Sequence, residues 1–180
     1  MKFSVLLSVY RKEQPAYLRQ SLDSIFTQTL QPAEVVLVKD GPLTDALDEV
    51  AEEYCRKYPV LKVVPLSENQ GLGRALNEGL KYCSYDLVAR MDTDDVAKPE
   101  RFEKQIAVFC AHPEMDVVGA WIDEFEGSIE NVISVRVLPL EHSEIRRFAR
   151  KRNPVNHPVV MFRKSAVLVA GGYQHFPLFE

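Results

Sequence analysis

The tightest constraint in this sequence is an alternation. Apolar runs of strand length and amphipathic helical patterns succeed one another through the first two thirds of the chain. The pattern predicts strands at residues 3–9, 35–39, 61–65, 86–91 and 117–120. Helices are predicted at 17–27, 45–58, 72–83 and 99–111, with apolar residues three or four apart, as Leu18, Leu22, Ile25 and Phe26 illustrate. Strand and helix in alternation imply an α/β fold: a Rossmann-like, mostly parallel sheet flanked by helices on both faces. Ligands of such sheets bind beyond the carboxyl ends of the strands, so polar residues should gather there. They do. Ser8 and Tyr10 follow the first strand, Asp40 and Gly41 the second, residues 67–71 the third, and an acidic run at 92–95 the fourth. Any one cluster also reads as turn chemistry, but four at four strand ends read as a site.

The acidic run is the densest of them. Leu87, Val88, Ala89 and Met91 lead directly into Asp92, Asp94 and Asp95. Anions so close repel one another and raise each other's pKa unless a cation or a ligand's donors compensate them. Hard oxygen ligands at a strand end suit Mg²⁺ or Mn²⁺, which take their remaining ligands from water and substrate phosphates. The competing reading is an acidic turn capping the helix that Pro99 would start, which employs one Asp and leaves two unexplained.

The 180 residues suit one domain, 1–180. A net charge of −4, with no basic block longer than the RRFARKR run at 146–152, gives no support to nucleic acid as a partner. Cys55, Cys83 and Cys110 are widely spaced within segments read as helical, which fits reduced structural thiols and a cytoplasmic location rather than a disulfide frame or a zinc site. The opening FSVLLSVY is interrupted at once by Arg11, Lys12 and Glu13, so it reads as a first strand and not as a signal peptide. No apolar run approaches the ~18 residues that span a bilayer.

In the third cluster, Gly71 and Gly73 open a helix that carries Arg74 and Asn77. Glycines there let backbone N–H groups approach an anion, and Arg74 could reach a phosphate or a carboxylate of the acidic loop; its other reading is a surface pair with Glu78. Farther on, VISVRVL alternates like an exposed strand, and HSEIRRFARKR reads as a basic amphipathic helix with Ile145 and Phe148 on its inner face. Such a helix can rest on an anionic inner-membrane surface, which would suit a lipid-linked acceptor, or it can be a solvated face. His157, ahead of Pro158 and the VVMF run, reads as a strand-entry residue with a hydrogen-bonded ring, or else as an acceptor-site or metal-proximal residue.

SVY at 8–10, KDG at 39–41, NQGLGRALNEG at 69–79, the aspartates of MDTDD, HP at 157–158 and GGY at 171–173 together resemble the family 2 nucleotide-sugar glycosyltransferases, which have the GT-A fold. The resemblance covers essentially the whole chain. It implies a nucleotide-binding part at about residues 1–100 and the start of an acceptor-binding part at about 101–180. Ser8, Tyr10 and Asp40 would line the nucleoside pocket, with Asp40 accepting from the base, usually uracil. Gly71 and Arg74 join them as nucleotide-binding candidates; Asp92 and Asp94 would face the ribose and diphosphate, and Asp95 would be the metal ligand. The implied chemistry is inverting transfer of a sugar from a nucleoside diphosphate sugar to the hydroxyl of a glycan or lipid-linked acceptor, as in surface polysaccharide or lipopolysaccharide synthesis.

Two features depart from the family. Lys39 stands where many relatives carry an acid. The family's acidic pair after GGY would begin at Glu180, the last residue, which places the expected catalytic base just past it and implies a truncated chain with little activity of its own. Other readings remain. DTDDV also fits the D-x-D-x-V motif of haloacid-dehalogenase-like phosphatases, but those carry it on the first core strand. A nucleotidyltransferase would need a glycine-rich basic loop where RKEQP stands. A module that binds nucleotide sugar without turnover fits the chain as given.

Overall fold

A computed structural model of the chain describes residues 1–174. The expected alternation is present: β1 (Ser4–Val9), α1 (Pro15–Phe26), β2 (Glu34–Lys39), α2 (Asp45–Lys57), β3 (Leu61–Pro65), α3 (Leu72–Tyr82), β4 (Leu87–Arg90) and α4 (Arg101–Ala111). After these come β5 (Val117–Val118), β6 (Ile122–Phe125), β7 (Val132–Arg136), α5 (His142–Phe148), a 3-10 turn at His157–Val159, β8 (Met161–Arg163) and α6 (Lys164–Val169).

The main sheet has the order β3-β2-β1-β4-β8-β5. β1 through β4 pair in parallel, while β8 runs antiparallel between β4 and β5. Side-chain alternation divides the core into two layers. Val5, Leu7 and Val9 of β1 join Leu18, Leu22, Leu47, Phe102 and Phe109 from α1, α2 and α4 on one face. Leu6, with Val36 and Val38 of β2, meets Leu76 and Leu80 of α3 on the other. α3 lies close because Gly79 faces the sheet; a Cβ there would come within 2.4 Å of Leu6 Cδ1 and 2.7 Å of Val38 Cγ2.

Several expectations change. The strand read at 117–120 shrinks to Val117–Val118, an edge piece held only by β8. Cys83 caps α3 instead of lying within it. His157 opens a 3-10 turn and not a strand, because Pro158 has no N–H to give a ladder. The insertion of β8 was not readable from the alternation, since three residues carry no period. β7 is exposed throughout, as its alternation suggested, and among the described residues it pairs with β6 alone. The basic segment forms only the short α5, on which Ile145 and Phe148 are the part-buried residues, and Arg150, Lys151 and Arg152 follow it in a turn. The thiols of Cys55, Cys83 and Cys110 are all free. No helix among the described residues is long and apolar enough to cross a membrane.

At the end of the sheet remote from the acidic loop, Glu34 is buried yet ionised. Ser4 Oγ, Ser84 N and Ser84 Oγ donate to it at 2.7, 2.7 and 2.8 Å, and Lys62 Nζ lies 2.5 Å away. Burial pushes its pKa up, but Lys62 and the two serines outweigh that and bring it down to about 2. A depressed carboxylate pKa stabilises the fold above the unfolded value, and the benefit is lost as pH falls through the folded one. Glu34→Gln should therefore lower stability at neutral pH by on the order of 2 kcal/mol. In denaturation measured against pH, the gap between variant and parent should close between about 4.5 and 2; a gap constant across that range would remove the ion pair as its cause.

Candidate active site

The chain runs outward from β1 through β2 and β3 and then returns to place β4 on the other side of β1, so the order of the sheet reverses between β1 and β4. A crevice opens at such a switch point. Here it is a cleft of about 390 Å³. Ser8, Tyr10 and Glu13 line it from the β1 end, Asp40 from the β2 end, Asn69, Gly71 and Leu72 from the start of α3, and Asp92, Thr93 and Asp94 from the β4 end. The fold thus brings together Ser8, Tyr10, Asp40, Gly71, Asp92 and Asp94 of the residues singled out in the sequence. Asp95 adjoins Asp92 and Asp94 without lining the cleft.

Asp40 builds the cleft's floor. Its carboxylate, 4% exposed, accepts from Gln70 N at 2.7 Å, Asn69 Nδ2 at 2.9 Å and Gly71 N at 3.1 Å. The sequence suggested an anion for the glycine loop's N–H groups, and the anion they meet is Asp40 itself. Gly41 makes the approach possible: its φ is +82°, and a Cβ there would lie 2.6 Å from Asn69 N. Lys39, the departure from the family, points away from the cleft and pairs with Asp48 on α2.

The acidic loop is pinned from several sides. Ser21 Oγ donates to Asp92 O at 2.9 Å, and Thr93 Oγ1 to Glu13 Oε2 at 2.7 Å. Ala97 N donates to Ser24 Oγ at 3.0 Å, and Arg101 Nη2 to Arg90 O at 2.6 Å. None of the three acids caps α4, whose N-cap is Glu100. Carboxylate oxygens of Asp92, Asp94 and Asp95 lie within 4.8 Å of one another. Asp92 is ion-paired to the wholly buried Arg90. Asp94 and Asp95 have no ion pair among the described residues, and burial followed by the neighbouring carboxylates raises both pKa values, that of Asp95 to about 6. A compact set of hard oxygen donors with unmet charge fits Mg²⁺ or Mn²⁺.

Other candidates are placed differently. Arg74 is exposed on the first turn of α3 and outside the cleft lining; its suggested pair with Glu78 does not form, because Glu78 takes Lys81 at 2.6 Å. His157 Nε2 lies 3.3 Å from Tyr173 Oη, and burial, then Arg90, push its pKa down to about 4. Glu180 falls outside the described residues. Sequence reasoning missed Glu13, Thr93, Asn69 and Arg90. For Arg90 a signal existed, since a charge inside the run LVARM has no solvated face on a doubly covered strand. Glu13 gave none, because loop residues carry no period.

The model of "Glycosyl transferase family 2" matches residues 4–169. The amylovoran biosynthesis glycosyltransferase AmsE of Erwinia amylovora is 49% identical over 173 residues, 96% of this chain and 64% of its own length. The UDP-Gal:alpha-D-GlcNAc-diphosphoundecaprenol beta-1,3-galactosyltransferase of Escherichia coli is 36% identical over 179 residues, 99% of this chain and 64% of its own. The chain therefore spans a little under two thirds of these relatives. Among solved structures, S. aureus TarS 1-349 in complex with UDP superposes with a TM-score of 0.72 at 25% identity, over 100% of this chain and 52% of that one.

The acidic loop is held at a cost to the metal-free chain. Asp95's folded pKa of about 6 lies above the ordinary 3.8, so the folded state binds the extra proton between those values. Stability then falls as pH rises through that window, and the whole penalty is present at neutral pH. Asp95→Asn should raise the stability of the metal-free protein at neutral pH by roughly 1–2 kcal/mol. It should also shrink the rise in Tm that Mn²⁺ gives the parent. A variant less stable than its parent in chelator would show that Asp95 is not electrostatically strained.

Proposed function

The chain belongs to glycosyl transferase family 2, and from that membership and its cleft we propose that it binds a nucleoside diphosphate sugar, a UDP-sugar, for transfer to an acceptor hydroxyl with inversion. The observation that carries this reading is the convergence of Ser8, Tyr10, Asp40, Asp92 and Asp94 on one cleft at the switch point. Residues 1–100 form the donor part, and 101–180 begin the acceptor part. The names of AmsE and the galactosyltransferase support surface polysaccharide synthesis on a lipid-linked acceptor. On this reading the protein works at the cytoplasmic face of the inner membrane, with the basic α5 as its contact to anionic lipid.

Ser8 and Tyr10 frame the nucleoside from the end of β1. Three of the four acceptor sites of the Asp40 carboxylate are spent on its loop, and the remaining one, on Oδ1, accepts from the base. Asp92 and Asp94 face the ribose and diphosphate, and Arg74 reaches toward the phosphates from α3. Asp94 and Asp95 would hold Mg²⁺ or Mn²⁺, and the ion would supply electrostatic stabilisation of the leaving diphosphate, a contribution usually worth several kcal/mol. An acceptor hydroxyl attacks the anomeric carbon in line and loses its proton to a carboxylate base on the opposite side, the role assigned to the acidic motif that begins at Glu180.

UDP binding followed by calorimetry tests the reading. UDP should bind at least about tenfold more tightly in Mn²⁺ than in chelator, because the acids repel the diphosphate unless a cation lies between them. Asp95→Asn should weaken UDP but spare uridine, which has no phosphate. Asp40→Ala should weaken uridine as well, by opening the loop and by removing the acceptor. Equal UDP affinity with and without chelator would sink the proposal.

A further inference from the structure

Arg90 ends β4 and is the bulkiest fully buried side chain among the described residues, at 1% exposure. Its backbone is tied at both groups: the N–H donates to Val160 O at 2.8 Å, and the carbonyl accepts from Arg101 Nη2 at 2.6 Å. By strand alternation its side chain shares the face of Val88, which packs in the α3 layer with Tyr173. The guanidinium makes one ion pair, from Nη2 to Asp92 Oδ1, while Nε and Nη1 have no partner among the described residues. A buried cation with two idle donors is expensive, and neither packing nor hydrogen bonding explains its place. What it does accomplish is to treat three neighbouring carboxylates unequally.

Among the described residues, Asp92 is the one of the three that is ion-paired with a permanent cation. That side chain remains 33% exposed, and its residue lines the same cleft as Ser8, Tyr10 and Asp40. With Oδ1 fixed by Arg90 and the backbone carbonyl fixed by Ser21 Oγ, its second oxygen has a defined direction. Asp94 and Asp95 keep their charge unmet, and a dication is drawn there and repelled from the neighbourhood of the guanidinium. We propose that Arg90 is a positioning residue that divides the acidic cluster: it reserves Asp92 for a ribose hydroxyl and leaves Asp94 and Asp95 to the metal. This rests on the donor-binding reading above.

The test is discrimination between UDP and 2′,3′-dideoxy-UDP by the 180-residue chain in saturating Mn²⁺. The parent should prefer UDP by about tenfold or more, the usual worth of a hydrogen bond to a charged acceptor. Arg90→Met should reduce that preference to within about threefold while UDP binding still requires Mn²⁺. In an Asp92→Asn background the Arg90 change should reduce it no further, because Arg90 acts through Asp92. A merely structural role would weaken both nucleotides equally and leave their ratio intact, which overturns the proposal. So does a loss of Mn²⁺ dependence with the ratio unchanged, since Asp92 would then belong to the metal. Should Arg90→Met not fold, Arg90→Lys keeps the buried cation but cannot orient a carboxylate; an unchanged ratio in that variant overturns the proposal too. A parent that binds neither nucleotide removes the donor reading itself, whereas a parent that binds both equally removes only this inference.

Discussion

β1 is hydrogen-bonded to β2 on one side and to β4 on the other, and the chain reaches β4 only after running outward through β2 and β3. The order of the sheet therefore reverses at that one pairing, where the cleft lies, and the segments leaving the two strands are tied to each other beside it, Ser21 Oγ donating to Asp92 O and Thr93 Oγ1 to Glu13 Oε2. The rest of the structure serves it. Six residues of β1 are in register with β2 and three with β4, all of them parallel, so the strand ends lie side by side and their loops converge. The absence of a side chain at Gly79 lets α3 settle onto β1 and β2, and the start of that helix then supplies the N–H groups that grip Asp40. A looser helix would leave Asp40 buried without its donors.

Glu34, which is buried, and Asp95, which is half-buried, show how one fold treats two desolvated carboxylates in opposite ways. Burial raises the pKa of each. At Glu34 a lysine and two serines reverse the shift, so the group helps hold β1, β2 and the turn before β4 together. At Asp95 the neighbours are two more carboxylates, so the shift grows. The difference lies in position: Glu34 begins a strand, at the end of the sheet where parallel folds bind nothing, and Asp95 follows one. Stability is gathered at the first end, and the second is left strained for a ligand to relieve.

The parallel half of the sheet was legible because it rests on period. Runs such as 35–39, buried on both faces, and helices such as 45–58, with one apolar stripe, differ in ways that a sequence displays. Strand ends followed, and with them Ser8, Asp40 and the aspartates. Contacts that depend on distance in space were not legible. Asp40 was read as facing a ligand, yet its three donors come from residues 69–71, which only the packing of α3 delivers. Gly71 was read as offering its N–H to an anion, and which anion that is depends on the same packing. The VVMF run was read as a strand and forms β8, but its place between β4 and β5 was not legible, because it is set by antiparallel pairing with them and not by any pattern of its own.

The late segment reaches the donor side through a small clamp. Asn77, on α3, donates from Nδ2 to Tyr173 O at 2.6 Å and accepts from Tyr173 N at 2.8 Å, so its amide pairs with the backbone as a neighbouring strand would. Gly172 leaves room for this; a Cβ there would lie 2.7 Å from Asn77 Oδ1. Tyr173 then lies in ring contact with His157, both within the field of Arg90 and Asp92. The helix whose start grips Asp40 thus also holds Tyr173 of GGY. In-line attack tolerates little error in the placement of acceptor against donor. On the proposed reading, two hydrogen bonds from one asparagine set that register, which gives the NEG of the glycine loop a purpose that no contact with nucleotide would explain.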